Sequence, residues 1–210
     1  MKKIKLLFLL ISGFVFAQQT TLDKKINMIV KGKNATVGIS VLGIENGFTY
    51  TKNAEKKLPM QSVFKFHIAA TVLDFVDKGK LSLDQKIMLT SQNLLKNTWS
   101  PLREKYGEGG VEITLAEVLE ATVAKSDNNG CDIMLNLLGG TEPVQKFIDS
   151  KGIKGFQIKF SEAQMHQDWS AQYENYSTMN SATTLLKKFY DGKLLSKKST
   201  DYRSGPVVQF

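Results

Sequence analysis

At Ser62 the hydrophobic pattern of the chain changes period, and that change limits the folds open to it. Upstream, apolar residues alternate over short β-branched stretches; downstream, they recur at intervals of three and four. Thr36–Leu42 (TVGISVL) and Phe48–Thr51 (FTYT) read as strands. Asn46-Gly47 between them tolerates the positive φ values of a tight turn, so the pair is expected to form a β-hairpin. Leu22–Val30 reads as a short amphipathic helix and Lys52–Pro59 as a polar connection. From Ser62 onward, Val63, Phe64, His67, Ile68, Val72, Leu73, Phe75 and Val76 mark one face of a helix ending near Gly79. Further helices are expected over Thr114–Ala124, Asn129–Leu138, Thr141–Ser150 and Ser177–Tyr190. The first has Thr114 and Glu117 at capping-box spacing, the second is closed by Gly139-Gly140, and the third carries Pro143 in its first turn. The expected class is α+β, an all-helical region packed beside an antiparallel sheet. Of that sheet only the N-terminal hairpin strands are encoded, because no later segment except Gly205–Phe210 reads as a strand.

Residues 1–17 read as a signal peptide. Lys2, Lys3 and Lys5 form a basic start, Leu6–Phe16 is an apolar run too short to span a bilayer, and Val15 and Ala17 suit a cleavage site after Ala17. Four segments follow: the leader at 1–17, a helix and hairpin at 18–58, a mainly helical region at 59–197, and a tail at 198–210. Export to a periplasm is expected. The residue directly after the cut is Gln18 and not a cysteine, so the product is expected to carry no membrane anchor. Without the three leader lysines the formal net charge falls from +8 to +5. Pairs such as Lys24-Lys25 and Lys56-Lys57 read as solvated faces, not as a nucleic-acid stripe. One cysteine, Cys131, excludes an internal disulfide, and two distant histidines, His67 and His166, argue against zinc. No metal or cofactor is expected, and the chain is expected to be a monomer.

Two short constellations carry chemistry. Ser62 and Lys65 stand three apart at a helix start, so they share a face. There the amine can accept the hydroxyl proton, and helix amides favour developing negative charge. Alone, a Ser and a Lys at this spacing fit surface decoration equally well. Ser126-Asp127-Asn128 lies at the junction of two expected helices, where it reads either as polar groups presented to a cleft or as an ordinary helix cap. His67 reads as a packed residue, and Cys131 as a small buried hydrophobe.

Taken together and in this order, the motifs resemble the serine penicillin-recognising enzymes, specifically the class A β-lactamases. Ser161-Glu162-Ala163-Gln164-Met165-His166 then stands where that family carries its Ω-loop, which would run from about 161 to 175. The resemblance covers roughly Thr36–Lys197. It implies that Ser62 is the nucleophile and Lys65 its activating partner. It further implies that Ser126 relays a proton to the departing ring nitrogen and that Glu162 is the general base for deacylation. Asn128 would bind the acylamino side chain of a β-lactam substrate, and Trp99 would be the aromatic at the rim of the cleft, although a core anchor is the alternative. Gln61, Asp132 and the Gln-Met-His run after Glu162 are similar to the PER/VEB-type branch, which implies a roomier cavity, activity on extended-spectrum cephalosporins and a substrate-facing Gln61.

The sequence also departs from the family pattern. His166 stands where an asparagine usually helps to hold the hydrolytic water, a task that imidazole can share. Phe160 and Asn175 occupy the places of the arginine–aspartate pair that pins the loop. The family's Lys-Thr-Gly, expected after Thr200, does not occur. The expectation is therefore a C-terminally truncated member in which these 210 residues hydrolyse β-lactams poorly and are unstable. The competing readings are a penicillin sensor that stays acylated, an inactive remnant, and an unrelated exported interaction protein.

Overall fold

A computed structural model describes residues 21–201. The leader with its cleavage after Ala17 and the tail Tyr202–Phe210 lie outside the described residues. The chain divides into two compact units, Met1–Lys56 and Lys57–Phe210.

In the first unit, residues 21–30 form a helix (α1), and Ile39–Leu42 (β1) pairs antiparallel with Thr49–Lys52 (β2) in the register Ile39↔Lys52 to Leu42↔Thr49. The ladder continues one step further, since Gly43 N–H donates to Phe48 O at 2.7 Å. Residues 44–47 make the reversal, which is wider than the two-residue turn expected from Asn46-Gly47. Of that pair only Gly47 has positive φ, at 67°, while Asn46 Oδ1 accepts the Phe48 N–H at 3.0 Å. Polar contacts tie α1 to the hairpin. Tyr50 OH donates to Asp23 Oδ1 at 2.8 Å, and Lys52 Nζ donates to Asn27 Oδ1 at 2.5 Å.

The second unit is organised around Phe64–Asp77 (α2), buried without a break from His67 to Asp74. A helix covered on every side has no polar stripe, and α2 is covered by Leu115–Ala124 (α4), Asn128–Leu138 (α5) and Glu142–Ser150 (α6), with Pro101–Tyr106 (α3) preceding them in the chain. Phe64, Ile68, Leu115, Leu119 and Met134 are at most 2% exposed. Each contributes roughly 1.5–3 kcal/mol by leaving water. The helix begins two residues later than expected. Gln61–Val63 form a single 3₁₀ turn, which leaves Val63, expected on the buried face, 56% exposed. At the α4–α5 crossing a Cβ on Gly130 would lie 2.4 Å from Thr122 Oγ1, so only glycine lets the helices approach this closely.

The mixed α+β class holds, but the helical unit is not strand-free. Lys86–Leu89 (β4) pairs with Val111–Thr114 (β5), and Leu58–Pro59 (β3), Phe156–Gln157 (β6) and Tyr176–Ser177 (β7) form a small sheet in the order β3-β7-β6. β4 alternates outward Lys86 and Met88 with buried Ile87 and Leu89, a period-two signal only four residues long. Its partner lies beyond α3, so no hairpin signature announces the pairing. After β6 come Glu162–Gln167 (α7), a 3₁₀ stretch Trp169–Glu174, β7, Met179–Tyr190 (α8) and Lys197–Asp201 (α9). The segment expected to be an irregular loop at 161–175 is therefore largely helical. Among the described residues no helix is long and apolar enough to cross a membrane.

Candidate active site

The 3₁₀ turn presents Ser62 to solvent, while Lys65, on the first turn of α2, is 2% exposed. A cation buried that deeply needs oxygen partners, because leaving it unpaired costs several kcal/mol. Lys65 Nζ lies 3.2 Å from Ser62 Oγ, 3.2 Å from Ser126 Oγ, 2.9 Å from Ser126 O and 2.9 Å from Glu162 Oε1, and it also contacts Asn128 Oδ1. Five expected residues, from three places in the chain, meet at one nitrogen. An ammonium has three protons for these acceptors, so the contacts alternate, and each hydroxyl is within proton-transfer reach.

The local backbone explains why these side chains meet. Gln61 and Ser126 are non-glycine residues in the left-handed region, at φ 47° and 59°, a conformation that costs on the order of 1–3 kcal/mol and persists only where the surroundings enforce it. For Ser126 the enforcement comes from Asp127. Fully buried, Asp127 accepts from Gly130 N at 2.8 Å as the N-cap of α5, from Leu102 N at 2.6 Å and from Ser100 Oγ at 3.0 Å, and its own N–H donates to Ala121 O. Both readings of Ser126-Asp127-Asn128 thus apply, residue by residue. Asp127 is the cap, and its neighbours on either side face Lys65. Asn128 is held from the far side as well, its Nδ2 donating to Thr98 Oγ1 at 2.7 Å.

Glu162 opens α7, and its backbone is doubly fixed. Ser161 and Gln164 form a capping box, and Asp132 on α5 accepts Glu162 N–H and Ala163 N–H, each at 2.8 Å. Burial pushes the Asp132 carboxyl up to about 6; the two amides oppose that shift, and the Glu162 charge adds to it. Glu162 and His166, four apart on α7, line one cavity of about 70 Å³ together with Asn128 and Asp132. Cys131, fully buried, has its thiol pushed well above its usual value by burial and by the Glu162 and Asp132 carboxylates, which leaves it an inert packing residue. His67 is 1% exposed and stacked on Phe156 at 4.4 Å.

The remaining expected residues stand further from Lys65. Trp99 is 57% exposed, with its indole N–H donating to Lys125 O at 2.9 Å and its carbonyl accepting Asn128 N–H at 3.0 Å. Its edge is fixed and its face is open, which is not the arrangement of a core anchor. Gln61 does not join the cluster: its side chain bonds to Gln172 on the 3₁₀ stretch. Sequence reasoning passed over two anchoring roles. In the sequence Asp132 is only one of the residues similar to the PER/VEB-type branch. Asn175 was noted only as standing where an ion pair is missing. In fact Asn175, 1% exposed, closes the segment with uncharged bonds. Its Oδ1 accepts Lys159 N–H at 2.8 Å and Phe160 N–H at 3.0 Å, its Nδ2 donates to Phe160 O at 2.7 Å, and its carbonyl accepts Met60 N–H at 2.9 Å. Nothing in the sequence around Asn175 signals that clasp, because its partners at 159 and 160 lie 16 and 15 residues away. Among the described residues no three His, Cys, Asp or Glu side chains are grouped to hold a metal.

The beta-lactamase enzyme family model matches residues 21–204. The chain is 42% identical to beta-lactamase VEB-1 of Pseudomonas aeruginosa, covering 96% of this chain and 70% of that protein. It is 40% identical to the extended-spectrum beta-lactamase PER-1 of the same organism, covering 87% of this chain and 59% of that protein. The solved structure of TLA-3 extended-spectrum beta-lactamase superposes with a TM-score of 0.85 at 44% identity, covering 88% of this chain and 67% of that one.

Proposed function

This chain belongs to the class A β-lactamase family, and from that premise we propose that its site opens β-lactams through an ester on Ser62 and then hydrolyses that ester. The observation carrying the proposal is that Lys65 Nζ is simultaneously within 3.2 Å of the Ser62 hydroxyl and 2.9 Å of the Glu162 carboxylate. Ser62 Oγ attacks the lactam carbonyl, and its proton is taken up by the Lys65–Glu162 pair acting as one unit. The Ser62 amide, in the 3₁₀ turn ahead of α2, stabilises the oxyanion. As the C–N bond breaks, Ser126 Oγ passes a proton from Lys65 to the ring nitrogen. In the second half Glu162 removes a proton from water, and the water oxygen attacks the ester. The tetrahedral adduct then expels Ser62 Oγ, which is reprotonated through Lys65, so one water is consumed per ring opened.

His166 supplies a second hydrogen-bonding partner to that water, Asn128 binds the substrate's acylamino group, and the exposed face of Trp99 borders the cleft. Gln61 serves the site by holding the 3₁₀ stretch beside it. The substrate class includes extended-spectrum cephalosporins by the resemblance to the PER/VEB-type branch, and the relatives PER-1 and TLA-3 carry the name extended-spectrum beta-lactamase, which supports a role in antibiotic resistance. The basic start and apolar run of residues 1–17 support export to the periplasm.

The test is single-turnover mass spectrometry with a penicillin. The parent chain is expected to show a transient acyl adduct on Ser62, Ser62→Ala none, and Glu162→Gln a persistent one. A parent that is never acylated, or whose adduct does not decay, overturns the hydrolase reading.

A further inference from the structure

A second cavity, of about 320 Å³, lies beside the one at Glu162. The two share Leu95, Asn129, Asp132, Ala163 and Gln167 in their walls, so they abut. Ser62 and Lys65 line neither of them. The outer cavity reaches the exposed residues Gln92 and Asn136, and the inner one runs from the exposed Asn97, His166 and Gln167 in to Glu162. We propose that these two cavities form a passage through which water reaches Glu162 while an acyl group occupies the Ser62 side of the site. The inference rests on the hydrolase reading above and adds the water's path to it.

Size and lining decide what the passage takes. At about 70 Å³ the inner cavity exceeds the 10–15 Å³ that one water requires, and it is far below the roughly 300 Å³ of a small-molecule pocket. Its walls offer amides, a hydroxyl, two carboxyl groups and an imidazole, enough for the two to four hydrogen bonds an ordered water makes. The shared wall is braced on both sides. Asn129 holds Leu95 through its N–H and its carbonyl, both at 3.1 Å, and Asp132 holds the first amides of α7. The backbone around the junction of the two cavities is therefore fixed. The Leu95 side chain, 42% exposed and apolar, is the element that can widen or narrow it. An ester seated over Ser62 covers the Lys65 side of the site, and the outer cavity offers water an entrance on the other side of Asp132 and Ala163.

Leu95→Trp and Gln167→Trp each fill the shared wall, and Leu95→Ala widens it. In the full chain with a penicillin, both tryptophan variants are expected to acylate Ser62 at the parental rate and to lose the acyl group about tenfold more slowly. Leu95→Ala should clear it at least as fast as the parent. A merely structural disturbance would slow both steps together, so the split between them is the readout. Parental deacylation in both tryptophan variants, with folding verified by circular dichroism, overturns the passage alone. A parent chain that never carries an acyl group overturns the hydrolase reading and the passage with it.

Discussion

The Asp132 carboxylate accepts the backbone N–H of Glu162 at 2.8 Å and that of Ala163 at the same distance, so the residue proposed as general base is aimed by a second acid on a different helix. Removing that acid with Asp132→Ala strands two amides at the start of α7. We expect a loss of about 1–3 kcal/mol in urea unfolding. In burst kinetics, deacylation should fall while acylation of Ser62 persists.

The same carboxyl gives the reaction a pH dependence. Asp132 is held up to about 6, above its usual 3.8. The fold thus favours its protonated form, and the stability it contributes is present below pH 3.8 and lost as pH rises through 6. Function runs the other way, because a neutral carboxyl is a poorer acceptor for the α7 amides. Deacylation is expected to lose rate as pH falls through about 6. Asp132→Asn, which does not titrate, should flatten that limb; an unchanged limb in the variant would assign it to another group.

Thr98 Oγ1 accepts from Asn128 Nδ2 at 2.7 Å, which sets the amide so that its oxygen faces Lys65. Thr98→Val removes that acceptor. The expected result is a KM for acylamino-bearing substrates raised about fivefold, equivalent to roughly 1 kcal/mol, with kcat nearly unchanged. Thr98→Ser should restore the parental value.

His67 couples stability to acid. Burial lowers it to about 4 from 6.5, and its Nε2 is buried without a hydrogen-bond partner in the described structure. Between those values the unfolded chain takes up the proton and the folded chain does not, so stability falls as pH drops from 6.5 to 4. The loss reaches about 2 kcal/mol by pH 5. His67→Phe, which keeps the stack on Phe156, should make the melting temperature at pH 5 approach its value at pH 7.5 in calorimetry.

Local signals were legible wherever the chemistry is local. The period change at Ser62, the Thr114 and Asp127 caps, and the Pro143 and Gly139 punctuation lie within a few residues of the elements they define, whereas the Ser161 cap, inside a segment expected to be an irregular loop, was not read. The convergence on Lys65 was legible only through resemblance, because no spacing rule links positions 62, 126 and 162. What escaped depended on distant partners. β4 and β5 are four-residue strands separated by a helix, the two-residue strands β3, β6 and β7 have no pattern of their own, and the Gln61 amide pairs with Gln172, far along the chain. Asp132 and Asn175 look like ordinary polar residues until the backbone amides they accept are seen.

Asn175 is also open to test. Its amide makes two acceptor and two donor contacts, the last to Met165 Sδ at 3.3 Å. Asn175→Ala is expected to cost on the order of 2–3 kcal/mol in urea unfolding and to expose residues 161–175 to proteolysis. An equally protease-resistant variant would show that the clasp is dispensable.

Because that clasp joins an amide to main-chain groups and a thioether, with no ion pair in it, mobile ions have nothing there to screen. The share of the grip on residues 161–175 that Asn175 supplies should therefore be equally firm in dilute medium and in brine, whatever salt does to the charged contacts beside it.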